Sequence, residues 1–581
     1  MNSLDTLFQL RSKFIVLGLT GRTGSGCSTI AKLLSQESFS SCQFPAPKAT
    51  HFENNEERKY NIVYSFAKEN WTQFTTIKVS SIITSFVLDN SFESFQEYLT
   101  RENVKLEPHY ESEIKPLFNK LHTQKKHLNS LKKEARAEQY SESEEKLEVY
   151  KFYFDSELNI FSELLKTALA HHTIKSRTTV FQGFGSNIRA SGNAFESGFT
   201  AGHTFMLAEQ INKIIKSLRD RGQGHIIIDS LRNPLEALFF KERYSAFYIL
   251  AVNAENKYRF NRLHNGLTRN DIDDLDKAEY SDISGEQIFH KQDIKTCIQI
   301  SDIYIHNPDS DEGDSLESIK RQLVKYLTLI QHPGLITPSP QERCMQTAYT
   351  AKYNSGCISR QVGAVVTDKY FSIKAIGWNN TAEGQTPCLL RDVRNLKDNT
   401  DKGAFSKYEL ENNNFQLKVI EAYDGAFTST ALKGRSLPFC FKSAQNCIDN
   451  EKNQVHTRSL HAEENAFLQI TKYGGEGIKG GRLFTTASPC ELCSKKAFQL
   501  GIKHIHYIDP YPGIAQEQIL ESGTKKSRPK LVLFEGAIGR AYHQLYEPVM
   551  AYKDELKLLL GIDYKFTEPN KTSEAPSGAS L

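Results

Sequence analysis

No apolar run in this 581-residue chain approaches the roughly 18 residues that a membrane-spanning helix needs, so membrane insertion is not expected. The N-terminus, Met1-Asn2-Ser3-Leu4-Asp5, lacks the basic start and apolar centre of a secretory signal. Net charge is equally scarce. Seventy-two Lys and Arg against 69 Asp and Glu leave +3, too little for the basic stripe of a nucleic-acid binder. Ten cysteines are spread over the whole length and two form a Cys-x-x-Cys, which points to metal rather than disulfides. A cytoplasmic protein is therefore expected. What is present is an ordinary globular composition, 39% hydrophobic and 24% charged, at a length that calls for several domains.

One further absence marks the N-terminal half. Phe14-Ile15-Val16-Leu17-Gly18-Leu19 reads as a buried strand, followed by the loop Thr20 to Thr29 and the helical Ile30-Ala31-Lys32-Leu33-Leu34. Strand, glycine-rich loop and helix start are the context in which backbone N–H groups surround phosphates. Gly21 and Gly26 have the spacing of G-x-x-x-x-G-K-[ST], with Gly24, Ser25, Ser28 and Thr29 as further candidate phosphate contacts. Cys27 stands where the lysine belongs, and a neutral thiol cannot offset charge developing during phosphoryl transfer. Nucleotide binding is therefore expected and phosphoryl transfer is not. His225 to Pro234 reads as an apolar strand ending in Asp229, where a carboxylate would meet Mg2+ of a bound nucleoside triphosphate. Ala246–Val252 and Ser301–Ile305 read as further strands of a parallel α/β sheet. Phe181 to Arg189 reads as a glycine-punctuated loop gripping a nucleotide, and Arg259 and Arg262 as arginines that either close over phosphates or lie exposed on a helix. Together these segments resemble the nucleotide and deoxynucleotide kinase branch of P-loop proteins over about residues 10–330.

Within that half, about residues 100–172 form a charged insertion with Leu117, Leu121, Leu128 and Leu131 at helical spacing, which predicts a helical hairpin. Lys125-Lys126 and Lys132-Lys133 are read as a solvated helix face. The acidic stretch Asn307 to Asp314 is a connector, and a linker is placed near Gln331-His332-Pro333-Gly334. A tail over about residues 567–581 has a disordered composition.

The chemistry lies in the C-terminal half, about residues 340–552. Ser459-Leu460-His461-Ala462-Glu463 and Ser488-Pro489-Cys490-Glu491-Leu492-Cys493 satisfy H-x-E followed by P-C-x-x-C, the signature of zinc-dependent base deaminases. His461, Cys490 and Cys493 supply three ligands, and a catalytic zinc keeps its fourth position for a water whose pKa falls to about 7. Glu463 must move protons, so it must not be a ligand. Gln341–Tyr353 is helical in pattern. Ser359–Val366 and Ser372–Asn380 read as the two strands of a hairpin, and Ala462–Tyr473 and Glu491–Leu500 are helices flanking the strand Gly481–Thr486, with His504–Ile508 after them. An insertion, about 391–455, separates hairpin from zinc helix. Cys388, Cys440, Cys447 and His456 in or beside it are candidates for a second zinc site or, more simply, scattered structural residues.

This α–β–β–α–β–α–β order resembles the cytidine deaminase fold, and Val362-Gly363-Ala364-Val365, Gly377-Trp378-Asn379 and His461 to Ala466 resemble deoxycytidylate deaminases. The resemblance implies that Asn379 hydrogen-bonds a deoxyribose, that the Ala364 backbone contacts the base and that the Ser488 carbonyl accepts from the departing amine. Phe534-Glu535-Gly536 and Arg540 are similar to the segment closing that family's pocket. The whole arrangement resembles anti-phage deoxycytidylate deaminases, which implies dCTP and dCMP as substrates, regulation by the P-loop half, a regulatory small RNA or protein partner, and a homo-oligomer. Two rivals are a housekeeping kinase–deaminase fusion, which Cys27 disfavours, and a nucleic-acid deaminase, which the weak charge disfavours.

Overall fold

The computed structural model describes residues 3–48, 51–136, 142–172, 174–263, 267–279, 283, 285–308, 316–474, 477–509 and 514–562. Its framework is two sheets. The strands of the first are β1 (Ile15–Thr20), β2 (Thr75–Lys78), β3 (His225–Asp229), β4 (Phe247–Asn253) and β5 (Ile303–His306). Those of the second are β6 (Gly363–Thr367), β7 (Ile373–Trp378), β10 (Arg482–Thr485), β11 (His504–Tyr507) and β12 (Lys530–Leu533). Between them in sequence come the short strands β8 (Asn380–Thr381) and β9 (Ser459–Leu460), and β13 (Gly536–Ala537) closes the series.

The first sheet has the order β13-β5-β4-β1-β3-β2, parallel except for β13. β1 and β4 are buried at every residue, as continuous apolar strands are when helices cover both faces of a parallel sheet. Four of its strands follow from the sequence reading. β2 does not, because Thr-Thr-Ile-Lys carries too short an apolar pattern to signal a strand.

The second sheet has the order β12-β11-β10-β6-β7, with β6 antiparallel to both β7 and β10. Helices Pro340–Ala351, Ala462–Tyr473 and Glu491–Gln499 pack around it. Gly377 allows one of these approaches: a Cβ there would lie 2.3 Å from the Ala462 carbonyl and 2.5 Å from the Ala466 nitrogen. The zinc helix can therefore press its backbone against β7. β8 pairs with β9 and clips the two ends of the long insertion together immediately before His461.

The halves are fused through a shared interior. β13 adds antiparallel to β5, and Ala251, Ile298 and Tyr304 share one core with Met345, Val365, Phe484 and Phe534. Glu342 is the polar centre of this joint. Its carboxylate takes Lys325 at 2.8 Å, the hydroxyls of Tyr326 and Tyr546 at 3.0 and 2.7 Å, and the Ala537 amide at 3.0 Å. Burial alone would raise its pKa; Lys325 and the hydrogen bonds outweigh burial and hold it at about 2. The stretch expected to be a linker is packed as well. Gln331 and His332 are buried, and the Gly334 amide donates to Leu545 at 3.0 Å.

Several expectations are corrected. Phe181 to Arg189 is not a loop but part of the helix Ile174–Ser191. Its Gly183 makes room for a neighbour, since a Cβ there would meet the Tyr98 hydroxyl at 2.6 Å. Arg189 is buried and donates to Glu236 at 2.7 Å. Arg259 is buried rather than exposed, and Asp276 takes its guanidinium. Lys125 does not face solvent: it is 2% exposed, over the rings of Phe86 and Phe152. The insertion is three helices, Pro108–Arg136, Glu142–Tyr150 and Leu158–His172, with Leu121, Leu128 and Leu131 buried. The side chains of Lys132 and Lys133, most of the acidic connector and the C-terminal tail lie outside the described residues.

Candidate functional site

His461 and Cys490 are the residues immediately before two helices, and Cys493 lies in the first turn of the second. Helix N-termini carry partial positive charge and favour thiolate. Sγ of Cys490 lies 3.3 Å from His461 Nδ1, and Sγ of Cys493 lies 3.5 Å from it. The Cys490 pKa is pushed down to about 3, first by the hydrogen bond from Cys493 and then by His461, while Cys490 and burial push Cys493 up. Among the described residues this is the group of three or more His, Cys, Asp and Glu whose ligand atoms all lie within 4.8 Å of one another.

Two sulfurs and one imidazole nitrogen fit a catalytic zinc with a position left open. Glu463 completes the site without joining the ligand set. It is 4% exposed, its Oε1 accepts from the Thr485 hydroxyl at 2.9 Å, and its Oε2 lies 3.6 Å from Cys493 Sγ. Burial raises its pKa, which suits a carboxylate that must take and return a proton near neutrality. Glu464, one residue on, reaches back to the His461 amide at 3.4 Å and pairs with Lys496, tying the two ligand-bearing helices together.

These groups stand at the base of a cavity of about 420 Å³. Asn379 and Ser488 line it as expected, whereas Ala364 is buried in β6 and Val362 stands in the wall instead. The Asn379 carboxamide is already engaged with backbone, accepting from Val362 at 2.7 Å and donating to Arg360 at 2.7 Å. A sugar hydroxyl would share it. The Ser488 hydroxyl donates to the Asp509 carbonyl at 2.6 Å. Phe534 and Gly536 belong to the joint between the halves, and Arg540 donates to the Phe247 carbonyl at 3.3 Å.

The sequence reading missed the outer wall. The 391–455 insertion folds as a small helical unit with its own core, which includes Val393, Phe405, Phe415 and Phe439. Arg391 anchors it, fully buried, paired with Glu409 and stacked 4.5 Å from the Phe439 ring centroid. This unit puts Cys440, Phe441 and Lys442 into the cavity wall, with Arg458 and Arg360 beside them. The spare cysteines do not gather as metal ligands: Cys388 and Cys440 line the cavity, Cys447 is exposed, and His456 faces Asp449 at 3.5 Å. Thr485 was also missed, although a polar residue at the buried end of an apolar strand is a readable signal.

In the first sheet, Gly24 and Gly26 adopt φ of 83° and 110°, and Gly26 caps the helix Cys27–Leu34. Gly21 and Ser25 are buried behind them. The Ser28 hydroxyl donates to Asp229 at 2.8 Å, and Thr29 is exposed on the same turn. The Cys27 thiol is pushed up to about 12 by burial and by Asp229, so it carries no charge.

Site and sheet together fit a zinc-dependent deaminase domain. Residues 338–509 match the family model for the cytidine and deoxycytidylate deaminase zinc-binding region, so the C-terminal part of the chain carries a domain of that family. The chain is 24% identical over 306 residues to a deoxycytidylate deaminase of Schizosaccharomyces pombe, spanning 52% of this chain and 75% of that one. It is 28% identical over 167 residues to the deoxycytidylate deaminase of phage T4, spanning 29% and 76%. Among solved structures, the dCMP deaminase of cyanophage S-TIM5 with dCMP and dUMP matches at 22% identity and a TM-score of 0.20, over 34% of this chain and 99% of that one.

Proposed function

We propose that the chain hydrolyses the exocyclic amine of deoxycytidine nucleotides, dCMP and dCTP, giving deoxyuridine nucleotides and ammonia. The observation that carries this reading is the His461–Cys490–Cys493 group beside a Glu463 that is buried, non-ligating and held by Thr485. Zinc, held by those three residues, would supply an activated water at neutral pH. Glu463 would accept a proton as the water oxygen bonds to C4, deliver one to ring N3 and then protonate the amine as the C4–N bond breaks. Thr485 fixes one carboxylate oxygen and leaves the other beside Cys493 Sγ, within the ligand group.

The cavity favours a free nucleotide over a base in a polymer, because the insertion walls it to the size of one small ligand. Lys442, Arg458 and Arg360 in its wall suit phosphate. We further propose that the N-terminal half binds a nucleoside triphosphate with Mg2+ at Gly21 to Thr29 and Asp229 and regulates the deaminase. The strand order, the glycine geometry and the Ser28–Asp229 contact support this, and the uncharged Cys27 fits binding without phosphoryl transfer. A chain of hydrogen bonds between the two regions supports the regulatory reading. The Arg232 carbonyl accepts from Asp293, which caps the helix Ile294–Gln299, and Gln299 donates to Asp509 at 3.3 Å. Asp509 in turn takes Arg360 at 3.0 Å and Ser488 at 2.6 Å. Depletion of dCTP as an antiviral defence, with a small RNA or protein trigger, is the biological role we assign to this pairing. Turnover of dCMP, dCTP, cytidine and CTP side by side tests the substrate reading. Deoxynucleotides should be preferred, and equal turnover of CTP would reject it.

A further inference from the structure

The phosphate loop is occupied by the protein's own carboxylate. Glu279, at the end of the helix Arg269–Glu279, is 1% exposed. Its oxygens accept from the Thr23 amide at 3.3 and 3.2 Å, from the Thr23 hydroxyl at 2.5 Å and from Arg232 at 2.9 Å. A backbone N–H of the loop, a hydroxyl and a guanidinium are the donor types that receive a phosphate. One turn earlier, Asp276 takes the loop residue Arg22 and also Arg259, the latter at 2.7 Å. Two carboxylates on one helix thus hold two successive loop residues.

Ile272 and Leu275 of that helix pack with Leu267, Phe260 and Leu263 in a satellite cluster apart from the main cores. An element fixed by a few ion pairs over a small apolar cluster opens more readily than a core element. Beside it lies a cavity of about 720 Å³ lined by Ser28, Lys78, Lys166, Arg177, Asp229 and Arg232. Within it Glu163 pairs with both Lys78, at 3.3 Å, and Lys166, at 3.0 Å, so these cations too are held by an internal carboxylate.

We propose that Glu279 is an internal stand-in for phosphate, and that a nucleoside polyphosphate binds by displacing it and releasing the helix Arg269–Glu279 from the loop. This rests on the nucleotide-site reading of the loop. The neighbouring Arg232 is bonded through its carbonyl to the helix that reaches Asp509, so release of Glu279 frees a group on the route to the deaminase site.

Calorimetric titration of the full chain with inorganic triphosphate and with ATP, in Mg2+, tests the proposal in the parent and in Glu279→Gln. The variant should bind at least tenfold more tightly, and triphosphate should speed amide exchange across residues 269–279 in the parent. Retained zinc and deamination report that the variant is folded; if it is not, Glu279→Asp, which draws the carboxylate back by one methylene, carries the same comparison. Equal or weaker binding by the variant would overturn the latch and leave the nucleotide site standing. Binding by neither protein would overturn the nucleotide-site reading and the latch with it.

Discussion

The two candidate sites are built alike and are left in opposite conditions. Each sits where strands run into helix N-termini, the position at which backbone dipoles favour anions. At the zinc site, His461, Cys490 and Cys493 face one another, and Glu463 is held by Thr485 and lies 3.6 Å from Cys493 Sγ. At the phosphate loop the charges are already spent on partners: Arg22 and Arg259 on Asp276, Arg232 on Glu279, Ser28 on Asp229. On the proposed reading, the loop's donors stay satisfied internally until a nucleotide competes for them.

The largest expected effect breaks the first member of that comparison. Cys490→Ala removes one ligand of three, so zinc by elemental analysis should fall toward zero with deamination. Full zinc occupancy would show the ligand set is wrong. Next comes the wall. Removing one partner of a buried ion pair costs roughly 3–5 kcal/mol. Glu409→Gln leaves Arg391 buried without its counter-charge, so KM for dCMP should rise while zinc content holds. An unchanged KM would separate the insertion from substrate binding.

The joint between the sites gives a pH test. The Glu342 pKa is about 2 folded against an ordinary 4.5, so its stabilisation is complete above pH 4.5 and is lost as pH falls toward 2. The difference corresponds to about 3 kcal/mol. Between pH 5 and pH 2.5 the thermal midpoint of the parent should drop further than that of Glu342→Gln; parallel curves would contradict it. The smallest effect concerns coupling. Gln299→Leu should leave basal deamination and triphosphate binding intact while blunting the response of deamination to triphosphate. An undiminished response would move the route elsewhere.

The zinc site was the most legible part of the sequence, because metal chemistry restricts both residue type and spacing. His461, Glu463, Cys490 and Cys493 meet as the pattern requires, and the helix beginning at Ala462 starts where expected. Strands with continuous apolar runs, β1 and β4 among them, were equally readable. What stayed hidden depends on partners distant in sequence. Gly183 and Gly185 suggested a loop, yet glycine also serves where a helix is approached closely, and Tyr98 is the approaching group. The Glu279 contact with Thr23 spans 256 positions and leaves no local pattern. The insertion gave no sign that it would stand over the cavity, since its ends are brought to His461 by the short β8–β9 pair, whose strands lie far apart in sequence.

Glu463→Gln tests the central claim most directly, with zinc content and dUMP formation from dCMP followed in the same preparation. The parent and the variant should hold equal zinc while turnover falls by about 10³-fold, as loss of a positioned proton carrier predicts. Retained turnover in a zinc-loaded variant would contradict the account.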